Sequence, residues 1–163
     1  MTEGFAARGA GVRKTLAAGF DGAMDMGNLN LLTVILGALA FFAVGALWYT
    51  VLFGKAWRKL VGISDDVIAT RPRGGQNPTW LIMLLAFAFE LLVSLTLAHQ
   101  YAMTGPSDRA KMMIAIGYGA MLMAPALGIN YLFQMRPGKL FAIDAAHFVV
   151  GMAAMGGVYC LMD

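Results

Sequence analysis

Of 163 residues, 60% are hydrophobic and only 13% charged, and the mean hydropathy is +0.69. That composition excludes an ordinary soluble domain and marks an integral membrane protein. The net charge of +3 comes from Lys and Arg scattered over a tail and loops, not from a basic stripe interleaved with aromatic rings, so no nucleic-acid partner is expected.

Residues 1–28 form an N-terminal tail. Arg8, Arg13, Lys14, Asp21 and Asp25 interrupt any apolar core that a signal peptide would need. Val12, Leu16, Phe20 and Met24 recur every four residues, which on a helix keeps them near one face. The tail therefore reads as an amphipathic surface segment on a membrane or a partner, with a mobile Gly- and Ala-rich tail as the alternative.

Residues 29–163 read as one all-α transmembrane domain. Four apolar runs, about 30–53, 79–103, 111–134 and 139–161, each reach the ~20 residues that a helix needs to cross a bilayer. Asn77 before Pro78 predicts an N-cap with proline at the first helical position, and Ser107 predicts another cap. Arg136, Pro137, Gly138 and Lys139 make a short connection, so the third and fourth spans form an antiparallel hairpin. Small residues at Ala120, Ala124 and Gly128, and at Ala153 and Gly157, predict close helix contacts. Pro125 removes a hydrogen bond to the Met121 carbonyl and predicts a bend in the third span.

The end of the first span, GALWYTVLFGKAWRKLVG (residues 45–62), changes from apolar to basic. Trp48 and Tyr49 are expected at headgroup level, with Lys55, Arg58 and Lys59 in the water beyond them. If the helix continues, Ala56, Trp57, Leu60 and Val61 share a face opposite the cations, as in a membrane-surface anchor among anionic lipids. The first and third loops carry seven Lys and Arg residues against five on the opposite side. The positive-inside rule then places the first loop in the cytoplasm and both termini on the opposite, outer side of the membrane.

Gly45-Ala46-Leu47-Trp48-Tyr49, followed by Leu52-Phe53-Gly54-Lys55-Ala56-Trp57, resembles a bacterial family of small four-helix membrane proteins known as domain of unknown function 1761. Phe141-Ala142-Ile143-Asp144-Ala145-Ala146-His147, with Gly151 behind it, is a second match. The resemblance covers about residues 29–161. It departs at Thr50 and Val51, where the pattern often has Ser-Pro, and in the tail before Asn28. It implies a fold and a membrane location, and no activity.

An ionisable side chain at the centre of a span costs about 2.5–3.5 kcal/mol on insertion scales, so each one needs a reason. At 1.5 Å per residue from the first-loop end, Tyr49 and Asn130 lie about 6 Å deep, Asp144 about 8, His147 about 12 and Glu90 about 17. All five belong to one half of the bundle and form a candidate polar cluster. Asp144 and His147 share a helix face, where the carboxylate is expected to orient or protonate the imidazole, and Ser94 lies one turn beyond Glu90 within hydrogen-bond reach. The cluster reads either as interhelical hydrogen bonding that fixes packing or as a site for a proton or a ligand.

No catalytic motif is present, whether His-Glu-x-x-His or Gly-x-Ser-x-Gly. The single cysteine, Cys160, provides neither a disulfide framework nor a CxxC metal site. No cofactor is expected. His147 is the one position suited to a haem or pigment, because Gly151 one turn on leaves room for a flat ring, yet His99, the other histidine, sits at the wrong end for a bis-histidine site. The expected role is structural or accessory, without enzymatic chemistry, in a homo-oligomer or beside other membrane subunits, with lipids as further partners. The alternative is a small proton-coupled transporter or sensor using Glu90, Asp144 and His147.

Overall fold

The computed structural model describes residues 29–63 and 78–162. The stripe from Val12 to Met24, the cap at Asn77 and the loop cations Arg71 and Arg73 lie outside the described residues. Within them the chain is helical: α1 (Leu31–Leu47), a π-helical turn (Trp48–Leu52), α2 (Gly54–Val61), α3 (Thr79–Thr104), α4 (Asp108–Gly117), a second π-helical turn (Tyr118–Met123), α5 (Ala124–Phe133) and α6 (Gly138–Met162). No strand occurs among the described residues.

With their π-helical turns these make four helices long and apolar enough to cross a membrane: Leu31–Leu52, Thr79–Thr104, Asp108–Phe133 and Gly138–Met162. The first span begins where a side chain satisfies free N–H groups of a helix start. The Asn30 side chain accepts from the N–H groups of Leu32 and Thr33 at 3.1 and 3.3 Å. Pro78 stands at the cap of the second span, one position earlier than expected, and its carbonyl receives the Leu81 and Ile82 N–H groups. Ser107 caps the third span through its backbone, with no side-chain bond.

The principal contacts run from the second span to the first, from the first to the fourth and from the fourth to the third. The second span is buried only in its later half, at Ser94, Leu97, Ala98 and Tyr101, while Trp80, Leu84 and Phe89 in its earlier half are exposed. In that later half Ser94 Oγ donates to the Val34 carbonyl, the Tyr159 hydroxyl donates to the Ser94 carbonyl, and the two hydroxyls lie 2.8 Å apart. Gly37 makes the convergence possible, because a β-carbon there would meet Ser94 Oγ at 2.9 Å and the Tyr159 ring at 3.0 Å. The Ser94 hydroxyl is thus committed to the first and fourth spans, not to Glu90. Nearby, Lys111 is buried, with Nζ 3.3 Å from the Tyr159 carbonyl and 3.5 Å from Asp108.

Pro125 is accommodated by the π-helical turn before it. The Ala124 N–H reaches back five residues to Gly119, and the widened turn makes room for the proline ring where an α-helical turn would clash. The extra residue also shifts the buried row to Lys111, Ala115, Gly119 and Ala124, leaving Ala120 of the expected row exposed. Gly119 lies against the backbone of Phe148 and Val149, where a β-carbon would stand at 2.9 Å. On the fourth span the close approach belongs to Gly156, whose β-carbon would meet that of Ala115 at 2.6 Å, whereas nothing lies within 4 Å of one at Gly157.

The hairpin between the third and fourth spans closes with the Arg136 N–H bonded to the Tyr131 carbonyl at 2.9 Å and with Met135 in the left-handed region, φ 52°. A left-handed residue with a β-carbon costs about 1–2 kcal/mol, and Met135 is 92% exposed, so it recovers nothing by packing. Met135→Gly should therefore raise stability by about 1 kcal/mol, after allowance for the greater chain freedom of glycine when unfolded. Thermal unfolding of the detergent-solubilised protein checks this, and a lower Tm for the variant would contradict it.

Candidate functional site

The first span reaches the site through its π-helical turn. Gly54 ends that turn against the Tyr49 carbonyl, which a β-carbon would meet at 2.6 Å, and α2 leaves in a new direction. Trp57, Leu60 and Val61 of α2 are half-buried, while Lys55, Arg58, Lys59 and also Ala56 are exposed. Trp57 packs its ring 5.3 Å from that of Tyr49. Trp48 points inward, with Nε1 donating to the Ile143 carbonyl at 3.1 Å and its ring 4.8 Å from that of Phe53. The turn directs both Trp48 and Tyr49 at the fourth span.

There Asp144, 5% exposed, accepts two hydrogen bonds: from the Tyr49 hydroxyl to Oδ1 at 2.8 Å and from the Tyr131 hydroxyl to Oδ2 at 2.6 Å. Three spans are tied by one carboxylate. This corrects two expectations. Asp144 makes no bond to His147; its two oxygens accept from tyrosines on two other spans. Asn130 does not join the cluster; it is exposed and receives a bond from Gln134. Register explains the exchange. At about 100° per residue, an uninterrupted α-helix would put Asn130 within about 20° of the direction of Gly119 and Tyr131 about 120° away. With one residue absorbed by the π-helical turn, Tyr131 takes the direction within about 20° of Gly119 instead.

His147 is 6% exposed, and neither Nδ1 nor Nε2 has a hydrogen-bond partner. Its ring is enclosed by those of Phe41, Tyr49, Phe148 and Trp48, at centroid distances of 5.2, 5.0, 5.5 and 6.2 Å. Gly45 faces Nε2 so closely that a β-carbon would stand 3.0 Å from it. The space beside Gly151 is already filled by the Phe41 ring, 2.8 Å from where its β-carbon would be. A haem or pigment macrocycle centred on His147 does not fit these surroundings. Among the described residues, no group of three His, Cys, Asp or Glu side chains is placed to hold a metal ion.

Glu90 enters from the second span, and its Oε2 is buried without a partner. Glu90 and His147 line one cavity of about 360 Å³ between the first, second and fourth spans. Phe42, Gly45, Ala46, Met83 and Ala86 supply most of its wall, which is largely apolar, with Tyr49 and Thr50 completing it. The Thr50 hydroxyl is bonded to the Ala46 carbonyl and that of Tyr49 to Asp144, so both hydrogens are committed elsewhere. Of the five expected cluster residues, four therefore converge, in two chemically different roles: Tyr49 and Asp144 in a closed hydrogen-bond network, Glu90 and His147 open to a cavity.

Tyr131 was not legible as a site residue, because its direction depends on the π-helical turn. Gly45 carried a signal only as part of a motif, and its role as the recess for His147 requires the fourth span in place.

These features define a small all-helical bundle with four helices of membrane-crossing length and a polar site enclosed in one half. The chain belongs to the family described as protein of unknown function (DUF1761), whose family model matches residues 32–160 and so includes nearly all of the four long helices. No curated protein and no solved structure matches it.

Asp144→Asn removes an acceptor from one of two tyrosine hydroxyls and should cost about 1–3 kcal/mol of stability. Glu90→Met replaces an unpartnered carboxylate with an apolar chain of similar length and should leave the Tm unchanged or raise it. Parallel melting curves of both variants check the contrast, and equal losses would make Glu90 a structural bridge like Asp144.

Proposed function

We propose that the protein is a multi-pass protein of the bacterial cytoplasmic membrane that binds a small molecule between its first, second and fourth spans. Binding is coupled to a proton held by Glu90 and His147, as in a carrier or a sensor. One observation supports this above the others: both residues line the same cavity and hold buried polar atoms that have no hydrogen-bond partner. Residues whose purpose is packing are bonded to a neighbouring span, as Asp144, Ser94 and Tyr159 are. Glu90 and His147 make no such bond, so no hydrogen bond within the bundle offsets the cost of these ionisable groups in a span. The reading assigns binding and not catalysis.

The proton is testable through Trp48, whose ring lies 6.2 Å from that of His147. With Trp57 and Trp80 replaced by Phe, the remaining fluorescence should fall as His147 becomes protonated, since an imidazolium quenches indole. His147→Gln should abolish the titration and Glu90→Gln should alter its midpoint. A curve indifferent to both substitutions would end the proton reading.

Orientation follows from charge: the loop after α2 faces the cytoplasm, with Lys55, Arg58 and Lys59 among anionic headgroups. A cysteine introduced at Gly75 should resist impermeant reagents added outside intact cells. Labelling from outside would invert the arrangement. An accessory or self-associating role is the second reading, favoured by the uncovered early half of the second span, where Trp80, Leu84 and Phe89 face outward. Purification in mild detergent as a single monomeric species would count against it.

A further inference from the structure

We propose that the ligand of this cavity is an amphiphilic monovalent organic cation, a protonated amine carried on a small apolar body. This rests on the reading of the cavity as a binding site.

The charged and titratable groups that face the cavity decide the sign. The second span contributes Glu90, the fourth His147, and the first Tyr49, behind which lies the Asp144 carboxylate. Among the described residues neither Glu90 nor Asp144 makes an ion pair. The cations stand elsewhere: Lys55, Arg58, Lys59 and Arg136 are exposed, and Lys111 is paired with Asp108. The local field therefore favours a positive guest.

Hydrogen bonding points the same way. With the Tyr49 and Thr50 hydrogens committed, the wall offers acceptors at Glu90 and the hydroxyl oxygens, while both ring nitrogens of His147 are buried. An anion would meet a carboxylate and almost no donors. A neutral alcohol has one hydrogen to give, whereas an ammonium group can give several to the Glu90 carboxylate through charge-assisted bonds. The rings of Phe42 and Tyr49 on the wall add aromatic faces for a cation. Ala46, Met83 and Ala86 receive the apolar body, and a volume of about 360 Å³ lies at the small end of the usual range for such sites.

The test uses the full chain in detergent micelles and three probes with one body: phenylpropylammonium, phenylpropanol and phenylpropanoate. By calorimetry the ammonium should bind about tenfold more tightly than the alcohol, a factor equivalent to about 1.4 kcal/mol, and the carboxylate should not bind. Glu90→Gln should bring ammonium and alcohol to similar affinity, and Phe42→Leu, which keeps the carboxylate, should weaken the ammonium several-fold more than the alcohol. Ala86→Phe, which fills the cavity, should abolish binding of both. Tighter binding of the alcohol or the carboxylate, or an ammonium affinity unmoved by Glu90→Gln and Phe42→Leu, would overturn the ligand class while leaving a binding cavity. No binding of any probe, or binding that survives Ala86→Phe, would overturn the cavity as the site as well.

Discussion

The contact between the first and fourth spans is the constraint on which the remaining structure depends. Lipid chains are as apolar as leucine, so helices gain nothing from hiding apolar surface from lipid and must associate through close fit and hydrogen bonds. Here the fit is reciprocal. Gly151 on the fourth span receives the Phe41 ring, and Gly45 on the first receives the His147 ring. With the two backbones in this relation, Trp48 reaches the Ile143 carbonyl and Tyr49 reaches Asp144. Displacing either ring would disturb both bonds and reshape the cavity wall.

The polar residues of the bundle divide by depth and by purpose. In the half away from the first loop, Ser94, Tyr159, Tyr101 and Lys111 bond to one another or to neighbouring carbonyls, and Tyr101 donates to the Lys111 carbonyl at 2.6 Å. That half also holds a cavity of about 480 Å³, lined by Asn30, Tyr101, Lys111 and Tyr159 among others. In the other half Asp144 is satisfied by two tyrosines, whereas Glu90 and His147 line a cavity and hold buried polar atoms without a partner.

Much of the fold was legible in the residues themselves. Apolar length marked the four helices to within a few residues, since a bilayer demands about 20 consecutive apolar residues whatever the fold. The short connection expected at Arg136 to Lys139 implied the hairpin that the third and fourth spans form, and it falls at residues 134–137. The rarity of Glu90, Asp144 and His147 in such surroundings singled them out, because the cost of an ionisable group in hydrocarbon is a property of the sequence. The partners of these groups were not legible. Asp144 was expected to serve His147 three residues away, and it serves Tyr49 and Tyr131 on two other spans. Ser94 was expected to serve Glu90, four residues earlier, and it bridges to Val34 and Tyr159.

By itself, then, the sequence determined the number, length and ends of the helices and which side chains would be costly in a membrane. Only the tertiary structure decided the direction in which those side chains point. Periodicity assumes 3.6 residues per turn throughout, and two π-helical turns, Trp48–Leu52 and Tyr118–Met123, break that assumption at the site. One residue absorbed at the second of them exchanges Asn130 for Tyr131 as the neighbour of Asp144. The turn is held open by Pro125 and by the approach of Gly119 to the fourth span, so the direction of every later side chain on the third span depends on a contact between residues about 30 positions apart in sequence.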